Sequence, residues 1–190
     1  MHRLLNRVTA RTKVWGLGLL LSIASVPAVS ATRLMPLPLS EMTASADQIV
    51  VGTVESQQAL FVTHGERIIT EVRIHISHSL RGAAPGSVLV VRHLGGVVGK
   101  IGQRVFGEAS FQTGEEVLLF AEQRGGFLYP VGMAQGALHV DSRSRTVHAD
   151  LGGAELLPRP SASEPSAVEG QPLSAVVQQI QTLIQQKAGH

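Results

Sequence analysis

Between Arg67 and Leu80 the chain alternates between two chemistries. Ile68, Thr70, Val72, Ile74 and Ile76 fall on one side; Arg67, Glu71, Arg73, His75 and Ser77 fall on the other, with Ile69 among them. A period of two is the spacing of a strand, because successive side chains point to opposite faces. This run therefore demands a sheet with one apolar face turned inward. A single hairpin cannot hide such a face, so more strands must join it. The surrounding sequence supplies them. Gln48 to Gln57 is rich in β-formers and interrupted by Gly52. Ser87 to His93, Glu116 to Ala121, Phe127 to Val131, Ala137 to Asp141 and Thr146 to Ala149 are further short strands, separated by Gly-containing turns. Glu116–Ala121 carries apolar residues at successive positions and reads as buried on both faces. The fold class expected is mainly β: a small OB-like barrel of five to six strands, whose closure would remove exposed edges.

Two helices flank this region. Leu37 to Asp47 reads as a short N-terminal helix, with Ser40 as N-cap, Glu41 in the first turn, and Leu39 and Met42 as core anchors. Near the C-terminus, Leu173, Val176, Val177, Ile180, Leu183 and Ile184 recur at helical spacing among glutamines, which predicts an amphipathic helix over 173–187. Its apolar stripe must be covered by the domain itself or by a partner. Residues 152–172 are rich in Pro, Ser, Ala and Glu without hydrophobic period, and are expected to be a linker.

The start of the chain has a different character. Arg3, Arg7, Arg11 and Lys13 precede an uncharged apolar run from Val14 to Val26, followed by Pro27 and the small residues Ala28, Ser30 and Ala31. Charged, apolar and small-residue regions in that order form a secretory signal, with cleavage expected after Ala31. The apolar run is too short for a bilayer span. The expected mature form is thus a periplasmic or secreted domain over 32–151, with no stable membrane span. Export also changes the charge balance. The whole chain carries a net charge of +2, but without the four early cations twelve basic residues face fourteen acidic ones. Nucleic acid is accordingly not an expected partner. The chain holds no cysteine, which excludes disulfides, thiolate zinc sites, a cysteine nucleophile and lipid attachment at the cleavage site.

Candidate chemistry is sparse. His75 and His78 form an H-x-x-H pair, but on a strand an odd spacing points them apart. His75, His93 and His139 would converge only if three strands aligned, so no metal site is expected. Gly95-Gly96-Val97-Val98-Gly99-Lys100-Ile101 has three residues where a phosphate loop needs four, and Ile101 where it needs Ser or Thr, so no nucleotide or other cofactor is expected. No serine sits in a G-x-S-x-G elbow. Glu115-Glu116 beside a turn reads as a solvated cap.

Several segments carry a resemblance. They are Ala46-Asp47-Gln48-Ile49-Val50-Val51-Gly52-Thr53-Val54, Thr70 to Ile74 leading to Ser79-Leu80-Arg81-Gly82, Gly107 to Phe111 with Thr113 to Phe120, and Val131 to Val140. In this order, over roughly residues 37–141, the chain resembles a group of uncharacterised exported bacterial proteins, some associated with matrixin-type metalloproteases. More distantly it is similar to the netrin-like and tissue-inhibitor-of-metalloproteinase module. That resemblance implies an OB-type barrel. The inhibitors place an N-terminal cysteine on zinc, and this chain has none, so the resemblance carries the barrel and not that inhibition.

The expected function is a non-catalytic binding module of the cell envelope, acting on or with a protease or another envelope protein. The expected contacts lie in the glycine-rich run 94–107 (Gly95, Gly96, Gly99, Lys100, Gln103 and Arg104) and at Gln135, because glycines let a partner approach the backbone and loops carry function. The alternatives are a secreted hydrolase using histidine and carboxylate, with His93 and His139 as the residues to test, and a structural envelope component acting through the C-terminal helix.

Overall fold

The computed structural model describes residues 32–62, 65–157 and 168–188. The expected secretion signal 1–31, the middle of the expected linker, His64 and His190 lie outside the described residues. In chain order the elements are β1 (Arg33–Leu34), α1 (Leu39–Ser45), β2 (Gln48–Val62), β3 (Arg67–Arg81), β4 (Val88–Leu94), β5 (Gly96–Val98), β6 (Ile101–Gln103), β7 (Glu116–Arg124), β8 (Phe127–Pro130), β9 (Ala137–Val140), β10 (Val147–Ala149), β11 (Glu155–Leu156) and α2 (Leu173–Ala188). A 3-10 turn over Met133–Gly136 links β8 to β9. Among the described residues the protein is mainly β, as the alternating pattern predicts, with two α-helices.

The main sheet has seven strands in the order β10-β9-β7-β2-β3-β4-β8. β7 pairs with β8 as well, so the hydrogen-bonded order β7-β2-β3-β4-β8 returns to β7. Neighbours are antiparallel except β4 and β8, which meet in parallel at Val91 and Leu128. β2 and β3 are each 15 residues long and form the scaffold. β2 carries register shifts near Ile49, Gly52 and Ser56, the irregularities that bend a strand and strengthen its twist. Gly52 marks a close approach: a Cβ there would lie 2.5 Å from the His75 carbonyl oxygen.

Two apolar clusters flank the sheet. Alternate residues of β7 enter each, which is why this strand is apolar at successive positions. Val117, Leu119 and Ala121 join Val72, Ile74 and Val91 on one side, closed over by Ala109 and Phe111. Leu118 and Phe120 join Ile49, Leu138 and the helices on the other. Both helices dock there, α1 through Leu39 and Met42 and α2 through Leu173, Val176 and Ile180. The C-terminal stripe is thus covered by the domain's own sheet. α1 begins one residue before the expected N-cap. Pro38 occupies that position and Ser40 lies in the first turn. At the other end of α1, Arg81 Nη1 donates to the carbonyls of Thr43 and Ala46, 2.6 and 2.8 Å away, satisfying groups that a helix end leaves open.

The expected linker 152–172 is shorter than its composition suggests. β11 pairs in parallel with β1, with Glu155 N–H donating to the Thr32 carbonyl and Leu157 N–H to the Leu34 carbonyl. Residues 168–172 lie along β10: Gly170 N–H donates to Val147 O and Val147 N–H to Gln171 O. Glu169 fixes this segment by accepting from Ala149 N–H and contacting His148 Nδ1 at 2.9 Å. Both ends of the linker are held by backbone bonds, which leave no hydrophobic period in the sequence.

Candidate functional site

The glycine-rich run 94–107 is not an open loop. Its middle is the β5–β6 hairpin, with Gly96 opposite Gln103, Val97 opposite Gly102 and Val98 opposite Ile101. Gly99 and Lys100 form the two-residue turn. Gly99 has φ 61° and Lys100 is not among the described residues with positive φ, the arrangement of a II′ turn with glycine at its first central position. The hairpin is a separate two-stranded sheet. It folds against β3: Gly95 N–H donates to Ile68 O, Thr70 Oγ1 donates 2.7 Å to Gly95 O, and Ile68 N–H donates 2.6 Å to Gln103 Oε1.

Between this hairpin, residues 104–111 and residues 150–153 lies a cleft of about 700 Å3. Gly95, Gly96, Gln103 and Arg104 are among the residues that line it. Gly99 and Lys100 sit at the hairpin tip and are not part of the lining. The glycines have a different role from the one expected. A Cβ at Gly96 would collide with Thr70 Oγ1, and one at Gly95 would lie 2.7 Å from Gln103 O. They make room for the protein's own atoms rather than a partner's. Gln103 is likewise committed to Ile68.

Gln135 is not a surface contact at all. It is buried in the 3-10 turn. Its Oε1 accepts from Leu37 N–H at 2.8 Å and its Nε2 donates 3.1 Å to Met35 O. It therefore pins the segment before α1. Its proximity to glycines in sequence hid a partner about a hundred positions away.

The cleft also gathers residues not assigned to it from the sequence. His93, at the end of β4, lines it together with Glu108, Ser110, Phe111 and Asp150. His93 Nδ1 lies 3.1 Å from Leu94 O, a contact in which the ring N–H donates. That leaves Nε2 as an acceptor, and it is buried with no hydrogen-bond partner among the described residues. Burial pushes the His93 pKa down, toward neutral imidazole. Burial pushes the Glu108 carboxyl up, against a hydrogen bond from the Leu94 backbone. Ser110 Oγ donates 2.5 Å to Asp150 Oδ2, and Gly152 N–H donates 3.0 Å to Oδ1. These bonds hold Asp150 below the usual carboxylate range. Arg104 lies over the Phe106 ring, 5.0 Å from its centre. The site thus combines an exposed guanidinium with an imidazole and a carboxyl that burial drives toward their neutral forms.

The other described histidines do not line the cleft, although His139 lies near enough for the charge of Asp150 to act on it. His139 Nδ1 contacts Glu115 Oε2 at 3.1 Å, and that bond raises its pKa. Glu115 Oε1 accepts from Gln112 N–H, while Glu116 pairs with Arg145, so the adjacent glutamates have separate duties. His75 pairs with Glu55 at 3.5 Å, and His78 lines another recess beside Leu173. Among the described residues, no group of three His, Cys, Asp or Glu could hold a metal ion. Comparison of the chain with protein-family models, curated proteins and solved structures returns no match.

Proposed function

We propose that the chain is an exported, non-catalytic binding module, and that it captures a protein partner of the cell envelope at the cleft beneath the β5–β6 hairpin. The observation that carries this reading is the cleft itself, a recess of about 700 Å3 edged by an exposed arginine and exposed apolar side chains. Such a combination is characteristic of recognition surfaces. The order β7-β2-β3-β4-β8, returning to β7, supports an OB-like barrel as the scaffold. Barrels of this kind bind ligands on a strand face and the loops beside it. The patterning of residues 1–31 supports a cleaved signal and a periplasmic or secreted location. The test is capture from an envelope fraction with the wild type and with residues 96–103 replaced by a Gly-Ser segment of equal length. Loss of the captured protein is expected; unchanged capture refutes the cleft.

A second reading is favoured by one observation. His93 and Glu108 line the same cleft, and both contact the Leu94 backbone, the imidazole at its carbonyl and the carboxylate at its N–H. Burial draws their pKa values toward one another, a pattern that suits proton transfer in a hydrolase. A hydrolase panel with His93→Ala, His139→Ala and Glu108→Gln separates the two. Turnover lost in the His93 and Glu108 variants but kept in His139→Ala would replace the binding reading.

A further inference from the structure

We propose that the cleft face of the β5–β6 hairpin, built from Val97, Gly102 and Arg104, holds an extended peptide segment of a partner that carries a carboxylate side chain among apolar residues. This rests on the reading of the domain as a binding module and specifies what it binds.

The first support is charge. Arg104 is exposed and forms no ion pair or hydrogen bond among the described residues. The acids that share its cleft make their hydrogen bonds elsewhere. Asp150 lies near enough for its charge and that of Arg104 to attract each other, but it accepts from Ser110 and Gly152. Glu108 is half-buried and bonded to the Leu94 backbone. Lys100, at the hairpin tip, also has no ion pair among the described residues. Two cations therefore face solvent on one short hairpin. A guanidinium in this state is matched by a carboxylate, which it can grip through two parallel bonds.

The second support is apolar surface. Val97, which lines the cleft, is 68% exposed, and Leu94, which also lines it, is 37% exposed. Ile101 is paired with Val98 and so projects from the other face of the hairpin. Exposed apolar side chains on the cleft face, beside an arginine, make a surface that a partner stabilises by covering it.

The third is the backbone edge. Gly102 stands opposite Val97 with no side chain, and a Cβ built there would meet only Val97 Cγ2, at 3.7 Å. The hairpin sheet contains only two strands, so β6 has no second neighbour among the described strands. In a hairpin closed by a two-residue turn, the pair next to the turn is hydrogen-bonded and the following pair is not. Val97 and Gly102 form that second pair, which turns the Gly102 N–H and C=O outward. An extended segment laid along β6 can bond to them. A lipid surface fits less well. Anionic-lipid sites gather about four to eight cations, and here the arginine lines a recess.

The probes are a fluorescein-labelled peptide of alternating Glu and Val, its Lys–Val counterpart, and phosphatidylglycerol vesicles. Anisotropy with the purified protein should show binding of the Glu–Val peptide, weakening as salt is added. Arg104→Glu should reduce that affinity at least about tenfold and create affinity for the Lys–Val peptide. Hydrogen exchange should show new protection at Gly102. Arg104 is exposed, so the thermal midpoint of the variant should match the wild type, and Arg104→Lys provides a second, milder variant. Equal binding of both peptides, unchanged binding by Arg104→Glu, or preferential binding of vesicles overturns the inference. So does failure of the Glu–Val peptide to bind, even where capture of an envelope protein through the hairpin still supports the broader reading.

Discussion

Replacing Ile180 by alanine measures how firmly α2 belongs to the domain. Ile180 is completely buried, in the cluster that joins α2 to α1 and to the Leu118 and Phe120 face of β7. The substitution removes about three methylene-sized groups, worth about 2.4 kcal/mol at ~0.8 kcal/mol each. The cavity left behind adds to this, because sheet and helix relax only in part, so a total of about 3–4 kcal/mol is expected. For a domain of this size that corresponds to a fall in thermal midpoint of roughly 6–16 °C. Gln181 is the control. It is the next residue on the helix and is exposed, so Gln181→Ala should stay within about 0.5 kcal/mol of wild type. Urea unfolding followed by far-ultraviolet circular dichroism reports both. If Ile180→Ala unfolds at the same urea concentration as Gln181→Ala, α2 is not docked on the sheet. Its stripe would then be available to a partner.

Three further outcomes are expected. Gln135→Leu leaves the Leu37 N–H and the Met35 carbonyl without their partner, which should cost about 1–3 kcal/mol and speed amide exchange at Leu37; unchanged exchange there would refute the clamp. The hydrogen bond to Glu115 raises the His139 pKa, so its contribution to stability is complete below about pH 6.5 and is lost as pH rises through the folded-state value; Glu115→Gln should remove that part of the pH dependence of urea unfolding, and an unaltered profile would refute the pairing. Gly96→Ala drives a methyl into Thr70 Oγ1 at a φ of 136°, so it should dislodge the hairpin and raise exchange at Gly95, whereas Gly102→Ala meets no close atom and should leave stability nearly unchanged.

What could be read from the sequence follows from how local each signal is. The β3 alternation survives because its inward face is set residue by residue, and the unbroken apolar run of β7 announces two cores because both of its faces are covered. The β5–β6 hairpin was also legible. Val97-Val98 and Ile101 flank a Gly-Lys pair at the spacing of a two-residue turn, but the density of surrounding glycines suggests a loop instead. β1, β11 and residues 168–172 were not legible, since main-chain bonds hold them and any side chain would serve. The site lay further out of reach. His93 and Glu108 belong together only because the hairpin between them folds back and brings both to Leu94, and Gln135 is structural only because residues 35–37 return beside it.

The position of the site follows from how the domain covers its apolar surface. One face of the sheet is covered by the segment carrying Ala109 and Phe111, and the other is sealed by α1 and α2 where β2, β7 and β9 present Ile49, Phe120 and Leu138. The hairpin receives neither kind of cover. Its glycines press it against β3, so it is held in place, yet Val97 and Ile101 remain in solvent. An element that is fixed and still exposes apolar side chains gains little for folding from those residues. Substituting Val97 by serine should therefore leave thermal stability nearly unchanged while weakening capture of the partner. Stability that falls in step with capture would instead assign this residue to the fold.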